Sequence, residues 1–404
     1  MTAVYLIFIL LACYYSWKYD GIEGVDQHKS HRYWLLCIML ICISGFSYGL
    51  GSDKFVYMEA FEDLPNNIDS LPEYIYLRLL LLGHMPLWTL LNVFVKKYFD
   101  SFYVLQFIQS GIINPLYCYI AYKYTHRQFL FLIVYFLSGT FFYFNMDVMR
   151  EGFAIACCLI AIERYMNGNK SHFYLLTVLG ILFHISAAIV LIFPICRFRI
   201  KRRVLFFSFG TSLAIWILSD LLLSHATTIA IGGIGALVKK ILLYSSQATT
   251  LFGFLRSAIT FIIFPFFVMY YNIKWETNIK QQERKEKFTA FYLVLSVCAC
   301  SFAGFTRLRN YAEIYILIFF TDFVYLWLKT KERFFVRTVC LIGLLFLTSL
   351  KFLVYYPITK AHFYDFFIPY TCILNEDKNV FIRKAIHDEQ LSPTATDENV
   401  RDLE

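Results

Sequence analysis

Long apolar runs parted by short polar or basic loops recur along the whole chain. Runs of about 17–25 such residues can cross a hydrocarbon core roughly 30 Å thick as helices. They do not alternate with period two, which argues against a β-barrel. The pattern predicts an all-α fold: a polytopic integral membrane helical bundle of about ten to twelve spans, with room for re-entrant hairpins. Spans fall near 3–17, 33–51, 128–146, 152–166, 204–223, 253–273, 288–305, 311–328 and 336–356. Residues 1–380 read as one membrane domain, and 381–404 as a polar, acidic, disordered tail. The N-terminal run TAVYLIFILLACYYSW has no basic n-region and no A-x-A site, so it reads as the first span and not as a removed signal.

Two stretches stay open. Residues 87–97 and 102–124 are both apolar and both end near a lysine, so they form either two spans or one span plus an interfacial segment. Asn114-Pro115 predicts a kink or break there. Residues 172–195 make a generous single span, yet CRFRIKRR follows directly. A single span would leave those cations outside. A hairpin of two short helices, with His184-Ile185-Ser186 near its tip, keeps them in the cytoplasm and is preferred.

Charge adds orientation. Net charge is +8, but the cations sit in short loops, which is a topology signal and not a nucleic-acid surface. Lys18, Lys29 and Arg32 place the first loop inside. The next loop carries Asp53, Glu59, Glu62, Asp63, Asp69 and Glu73 against Lys54 and reads as external. KWETNIKQQERKEK and KTKERFFVR lie inside; the loop 224–250 and the turn TRLRN lie outside. Only 16% of residues are charged, against roughly a quarter in soluble domains. The 11 cysteines are scattered, mostly within apolar runs, and Cys298-x-Cys300 lacks a second pair, so no zinc site is expected. His28-x-x-His31 has no third ligand nearby. No phosphate-cradling G-x-x-x-x-G-K-[ST] motif occurs.

Several charges gather on the predicted outer face: Asp53, Asp147, Arg150, Glu151, Arg307 and Arg309, joined by His184 under the hairpin reading. Asp147, Arg150 and Glu151 stand at i, i+3 and i+4 and would share one helix face. Cations among aromatics at headgroup depth suit an anionic group, and arginine offers bidentate donors to a diphosphate. The plainer alternatives are that Arg150 snorkels or pairs with Asp147, that His184 is a packing residue, and that Arg307 and Arg309 anchor a turn.

These residues lie in segments that resemble the EpsG family of Wzy-like membrane proteins. SGFSYGLGSDKFVYMEAF, HMPLWTLLN, MREGFAIACCLIA, LFHISAAIV, RLRNYAEIYILI and FFIPYTCIL are similar, in order, to that family's segments. Ser47 stands where an arginine is usual before Tyr-Gly, so one anion contact is lost or replaced. Glu151 replaces the usual glutamine, and Met85 stands where glutamate usually precedes the proline.

The resemblance implies a GT-C-like, multi-pass protein of the bacterial cytoplasmic (inner) membrane. It implies a glycosyltransferase that joins polyprenyl-diphosphate-linked repeat units at the outer face, in exopolysaccharide, capsule or O-antigen synthesis. The expected partners are the polyprenyl-diphosphate-linked oligosaccharide, the lipid bilayer, and a chain-length regulator and flippase of the same pathway. No metal and no cofactor is expected. His184 and Asp53 are the expected catalytic residues. Arg150, Arg307 and Arg309 would bind the diphosphate; Glu151, Tyr57 and Tyr311 would orient the sugar. A lipid-linked oligosaccharide flippase, a membrane acyltransferase and a structural or assembly subunit are the competing classes. No internal repeat of the kind many transporters carry is visible.

Overall fold

The computed structural model describes residues 3–21, 27–64, 85–218, 250–301, 303–329, 355–356, 361–374 and 383–384. Most of the predicted span 336–356, the loop 224–250, Asp69, Glu73 and most of the predicted tail lie outside the described residues. The described chain is helical apart from one antiparallel pair of two-residue strands, β1 (Tyr355–Tyr356) and β2 (Ala361–His362). It divides into two compact units: Met1–Cys157 with Val178–Ile185 and Glu332–Glu404, and Cys158–Thr177 with Ser186–Lys331.

The first unit opens with α1 (Ala3–Tyr19), α2 (Gln27–Gly45), α3 (Asp53–Glu62), α4 (Pro86–Phe99) and α5 (Phe102–Tyr124). It continues with α6 (Gln128–Leu137), the short α7 (Thr140–Phe142) with a π-helical turn Tyr143–Asp147, and α8 (Met149–Met166), whose second half passes into the other unit. Helix α1 packs on α6 and α2 on α5. Large rings fill the centre: Phe8, Phe129, Phe131, Tyr135 and Phe141 are fully buried. A buried amide network crosses this apolar interior, where an unpaired polar group would be costly. Asn114 Nδ2 donates to Asn145 Oδ1 at 2.7 Å, and Asn145 Nδ2 to the Tyr135 hydroxyl at 2.9 Å.

Two expectations change here, and one open reading narrows. Helix α5 continues without a break through Pro115, where the Asn114 side chain donates to the Ser110 carbonyl and to Asn145 Oδ1. Helix α4 has 14 residues, about 21 Å at 1.5 Å per residue, and is too short to cross a membrane alone. The run 128–146 is not one straight span: the helix bends by 74° between Leu137 and Thr140. Gly139 supplies a left-handed φ of 75° at the bend, and Ser138 Oγ bonds to the Tyr135 carbonyl at 3.2 Å.

The second unit holds the rest of α8, the first part of α9 (Lys170–Phe183), most of a 3₁₀ segment Ile185–Ile195, and α10 (Arg202–Ile217). There follow α11 (Leu251–Ala258), which runs through a π turn into α12 (Phe264–Trp275), then α13 (Ile279–Ser301), a 3₁₀ helix Ala303–Ala312, and α14 (Glu313–Lys329). Asn272 Nδ2 donates to the Phe319 carbonyl at 2.7 Å and pins α12 to α14. Leu251–Trp275 is the one continuous described helix both long and apolar enough to cross a membrane; the bent pair 128–147 would make a second. Other apolar helices are shorter, or, like α2 and α13, start on a charged turn.

Candidate functional site

The site in the first unit is built on a loop that the sequence marks with two glycines, YGLGSDK. Its backbone is clamped by residues more than 300 positions away. The Tyr48 N–H donates to the Thr371 carbonyl at 3.0 Å, and the Ile373 N–H to the Phe46 carbonyl at 3.0 Å. Ser47 faces Cys372 in an isolated antiparallel bridge. The buried Arg383 guanidinium donates to Gly49 O (3.4 Å), Thr371 Oγ1 (3.0 Å) and the Pro369 carbonyl. From within the bundle, Gln106 Nε2 donates to the Ser47 carbonyl at 2.8 Å.

Gly51 brings this loop against the π turn. Its φ is 100°, and a Cβ there would stand 2.1 Å from the Met146 carbonyl oxygen. No side chain fits, so the close approach depends on glycine. The approach sets the start of α3: the Asp53 N–H donates to Asp147 Oδ1 at 2.8 Å, satisfying one of the helix's open N–H groups.

Lys54 is fully buried, and its ammonium donates to Ser47 Oγ at 3.3 Å. Burial pushes its pKa down to about 7, with the Asp147 charge opposing the fall. The group is therefore balanced between ammonium and amine near neutral pH. Charge reading of the sequence missed it, because Lys54 looked like the lone cation of an acidic loop. The signal available was its place straight after the glycine-rich turn.

Arg150 lies on the first turn of α8. The expected shared face with Asp147 does not form. Asp147 closes the π turn, Val148 takes a non-helical conformation (φ −90°, ψ 78°), and α8 begins only at Met149. Asp147 is thereby turned to the Asp53 N–H. Among the described residues no carboxylate pairs with Arg150. Its guanidinium stands 5.5 Å from the centre of the Tyr57 ring, and its Nε is buried with no hydrogen-bond partner. Burial pushes the Tyr57 hydroxyl up to about 12, against the pull of Arg150. Glu151 is buried to 1% exposure.

Four of the segments that carried the family resemblance meet here. Tyr57, Trp88, Met149 and Phe153, from α3, α4 and α8, form one apolar cluster, with Phe183 packed against it. Trp88 meets Tyr57 edge-on at 5.5 Å, and Phe153 stacks on Phe183 at 5.3 Å. Phe183 ends α9, and His184, half-buried, sits in the break before the 3₁₀ segment. The break falls where the hairpin reading put its tip. Arg150 stands one helical turn before Phe153, and His184 one residue after Phe183, so a single ring stack joins their elements.

The other predicted residues lie in the second unit. The expected TRLRN turn is part of the 3₁₀ helix, so both arginines are on ordered helix. Arg307 is exposed. Arg309 pairs with Glu313 (Nη2 to Oε2, 3.6 Å) and lies 4.1 Å from the centre of the Phe261 ring. Tyr311 is fully buried, its hydroxyl 2.8 Å from Ser186 Oγ. Among the described residues no cluster of three His, Cys, Asp or Glu could hold a metal ion.

No curated protein and no solved structure matches the chain. The EpsG family model matches residues 32–372, and so takes in Ser47, Lys54, Tyr57, Trp88, Arg150, Phe153 and His184. The chain belongs to the EpsG family.

Proposed function

We propose that this chain is a multi-pass protein of the cytoplasmic membrane that polymerises polyprenyl-diphosphate-linked repeat units at the outer face. The family supports a polysaccharide polymerase-like role. The carrying observation is Arg150: an arginine at a helix start, against an aromatic face, with an unbonded Nε and no carboxylate to neutralise it. A half-buried charge with a buried, unbonded nitrogen is costly unless a ligand completes it. The helix start adds its own positive dipole, so the missing partner is an anion.

The reaction joins two lipid-linked sugars. An acceptor hydroxyl oxygen attacks the anomeric carbon of the donor chain. The bond from that carbon to the diphosphate oxygen breaks, and its electron pair leaves with the polyprenyl diphosphate. The hydroxyl proton passes to a base. Arg150 stabilises the charge growing on the leaving diphosphate, an effect worth most in a site closed to water. His184 takes the proton, and Asp53 orients the acceptor hydroxyl.

Lys54 adds a second cation. Where the resemblance expects an arginine at position 47, the chain has Ser47, and Lys54 bonds to that serine. The lysine restores the positive charge from seven residues along. Arg309, already neutralised by Glu313, and Arg307 are assigned supporting contacts to the anionic substrate.

Chain-length profiling of the polysaccharide tests the reading. Arg150→Ala and His184→Ala should still deliver single repeat units to the outer face and lose long chains, while Arg150→Lys should keep part of the length. Failure of repeat units to reach the outer face would indicate a flippase. Unchanged long chains in both variants would overturn the assignment.

A further inference from the structure

The second unit contains an open cleft of about 460 Å³ that plays no part in the reaction above. Its walls carry five cations, Arg197, Arg199, Lys280, Arg284 and Lys287, against Glu283 and Glu286. Positions 280, 284 and 287 stand at i, i+4 and i+7 and share one face of α13. Arg197 and Arg199 come from the extended segment after the 3₁₀ helix.

A topology signal needs only charge, and it leaves cations free in water. Two of these are instead held in place. Arg197 Nη2 donates to the Tyr165 hydroxyl at 2.7 Å. The Lys287 ammonium sits 3.9 Å from the centre of the Tyr165 ring and 4.7 Å from that of Phe193. The aromatic faces take the place of a counter-ion. Among the described residues, none of the five forms an ion pair, although Glu283 and Glu286 line the same cleft and the neighbouring Lys285 pairs with Glu276 at 2.9 Å. The Tyr165 oxygen accepts from Arg197, which leaves its own hydrogen to donate. Burial holds Lys287 below its ordinary pKa, and Arg197 adds repulsion.

We infer that this cleft is a binding site for a phosphate-bearing anion, separate from the Arg150 site. Arg197 and Lys287 are positioned in advance, Arg199 and Arg284 close on the phosphate oxygens, and the Tyr165 hydroxyl donates a further hydrogen bond. The volume suits a small ligand or a lipid headgroup. The chemistry is the same for the phosphate of an anionic lipid and for a soluble phosphate ester, and basic pockets beside membrane helices serve lipid headgroups in this way. The inference does not require the chain to be a polymerase.

Calorimetric titration of the full chain with inorganic pyrophosphate, in phosphatidylcholine nanodiscs, tests it. Saturable binding is expected, weakened about tenfold or more by Arg199→Gln and by Lys287→Gln. Arg199 is exposed, so its variant will fold even if the lysine variant does not. Lys170→Gln, which removes an exposed cation outside the cleft, should leave affinity unchanged. Adding phosphatidylglycerol to the discs separates the sources: competition with pyrophosphate assigns the site to a lipid headgroup, and undiminished binding to a soluble phosphate ester. No saturable binding of pyrophosphate in either disc, or an equal loss with Lys170→Gln, would overturn the inference.

Discussion

Lys54→Met should stabilise the protein at neutral pH, and the gain should shrink as pH rises. The wild-type ammonium has no exposure and a folded pKa of about 7, against an ordinary 10.5. The unfolded chain therefore holds the proton more tightly than the folded one. Below pH 7 both states carry it, and burial costs the fold its full amount. Between 7 and 10.5 the folded state sheds the proton first, and stability climbs by about 1.4 kcal/mol per pH unit. The whole window is about 3.5 units, so the cost at low pH is about 5 kcal/mol. From pH 7 to pH 9 the wild type should gain about 2–3 kcal/mol that the methionine variant, having no proton to lose, does not. Reversible unfolding in mixed micelles at pH 6, 7, 8 and 9 measures the difference directly. Asp147→Asn should move the onset of the climb to lower pH, because the carboxylate favours the ammonium. A wild-type-to-variant gap that stays constant from pH 6 to pH 9 would refute the reasoning.

Other outcomes follow from the same contacts. Gly51→Ala should lower stability by about 3 kcal/mol or more, since the new methyl meets the Met146 carbonyl in a left-handed backbone; thermal melting measures it. Arg383→Gln removes charged donors from buried carbonyls and should cost about 2–3 kcal/mol, with hydrogen exchange at the Tyr48 amide rising in step. Glu313→Gln leaves the Arg309 charge without its carboxylate and should cost about 2 kcal/mol, part of which Arg309→Gln recovers in a double-mutant cycle.

The helical fold was legible in the chain because it rests on local signals, and the same signals single out Arg150. Apolar runs give helices, and Arg150 stands out as a charge beside an apolar run. The break at His184 was also readable, since the cations of CRFRIKRR made one straight span awkward. The bend at Gly139 was not, because a lone glycine in an apolar run looks like any other small residue. Pro115 misled in the opposite sense: its helix continues without a break, and Asn114 finds partners on Ser110 and, from outside its own turn, on Asn145. Lys54 and Arg383 escaped notice for one reason. Burial of a cation depends on what folds over it, and the covering residues are distant in sequence. For the same reason the expected trio at 147, 150 and 151 failed, since the π turn that separates Asp147 from α8 leaves no periodic trace.

The clamp between the YGLG loop and residues 366–373 carries a consequence for synthesis. A nascent chain that has emerged as far as residue 360 contains Lys54, Arg150 and His184. It still lacks the strand partner of Ser47, which is Cys372, and the acceptor for the Tyr48 amide. The loop sets only when the chain has emerged past residue 373. Products cut short before residue 366 should therefore lack the set loop, and limited proteolysis there should cleave them faster than the longer chain.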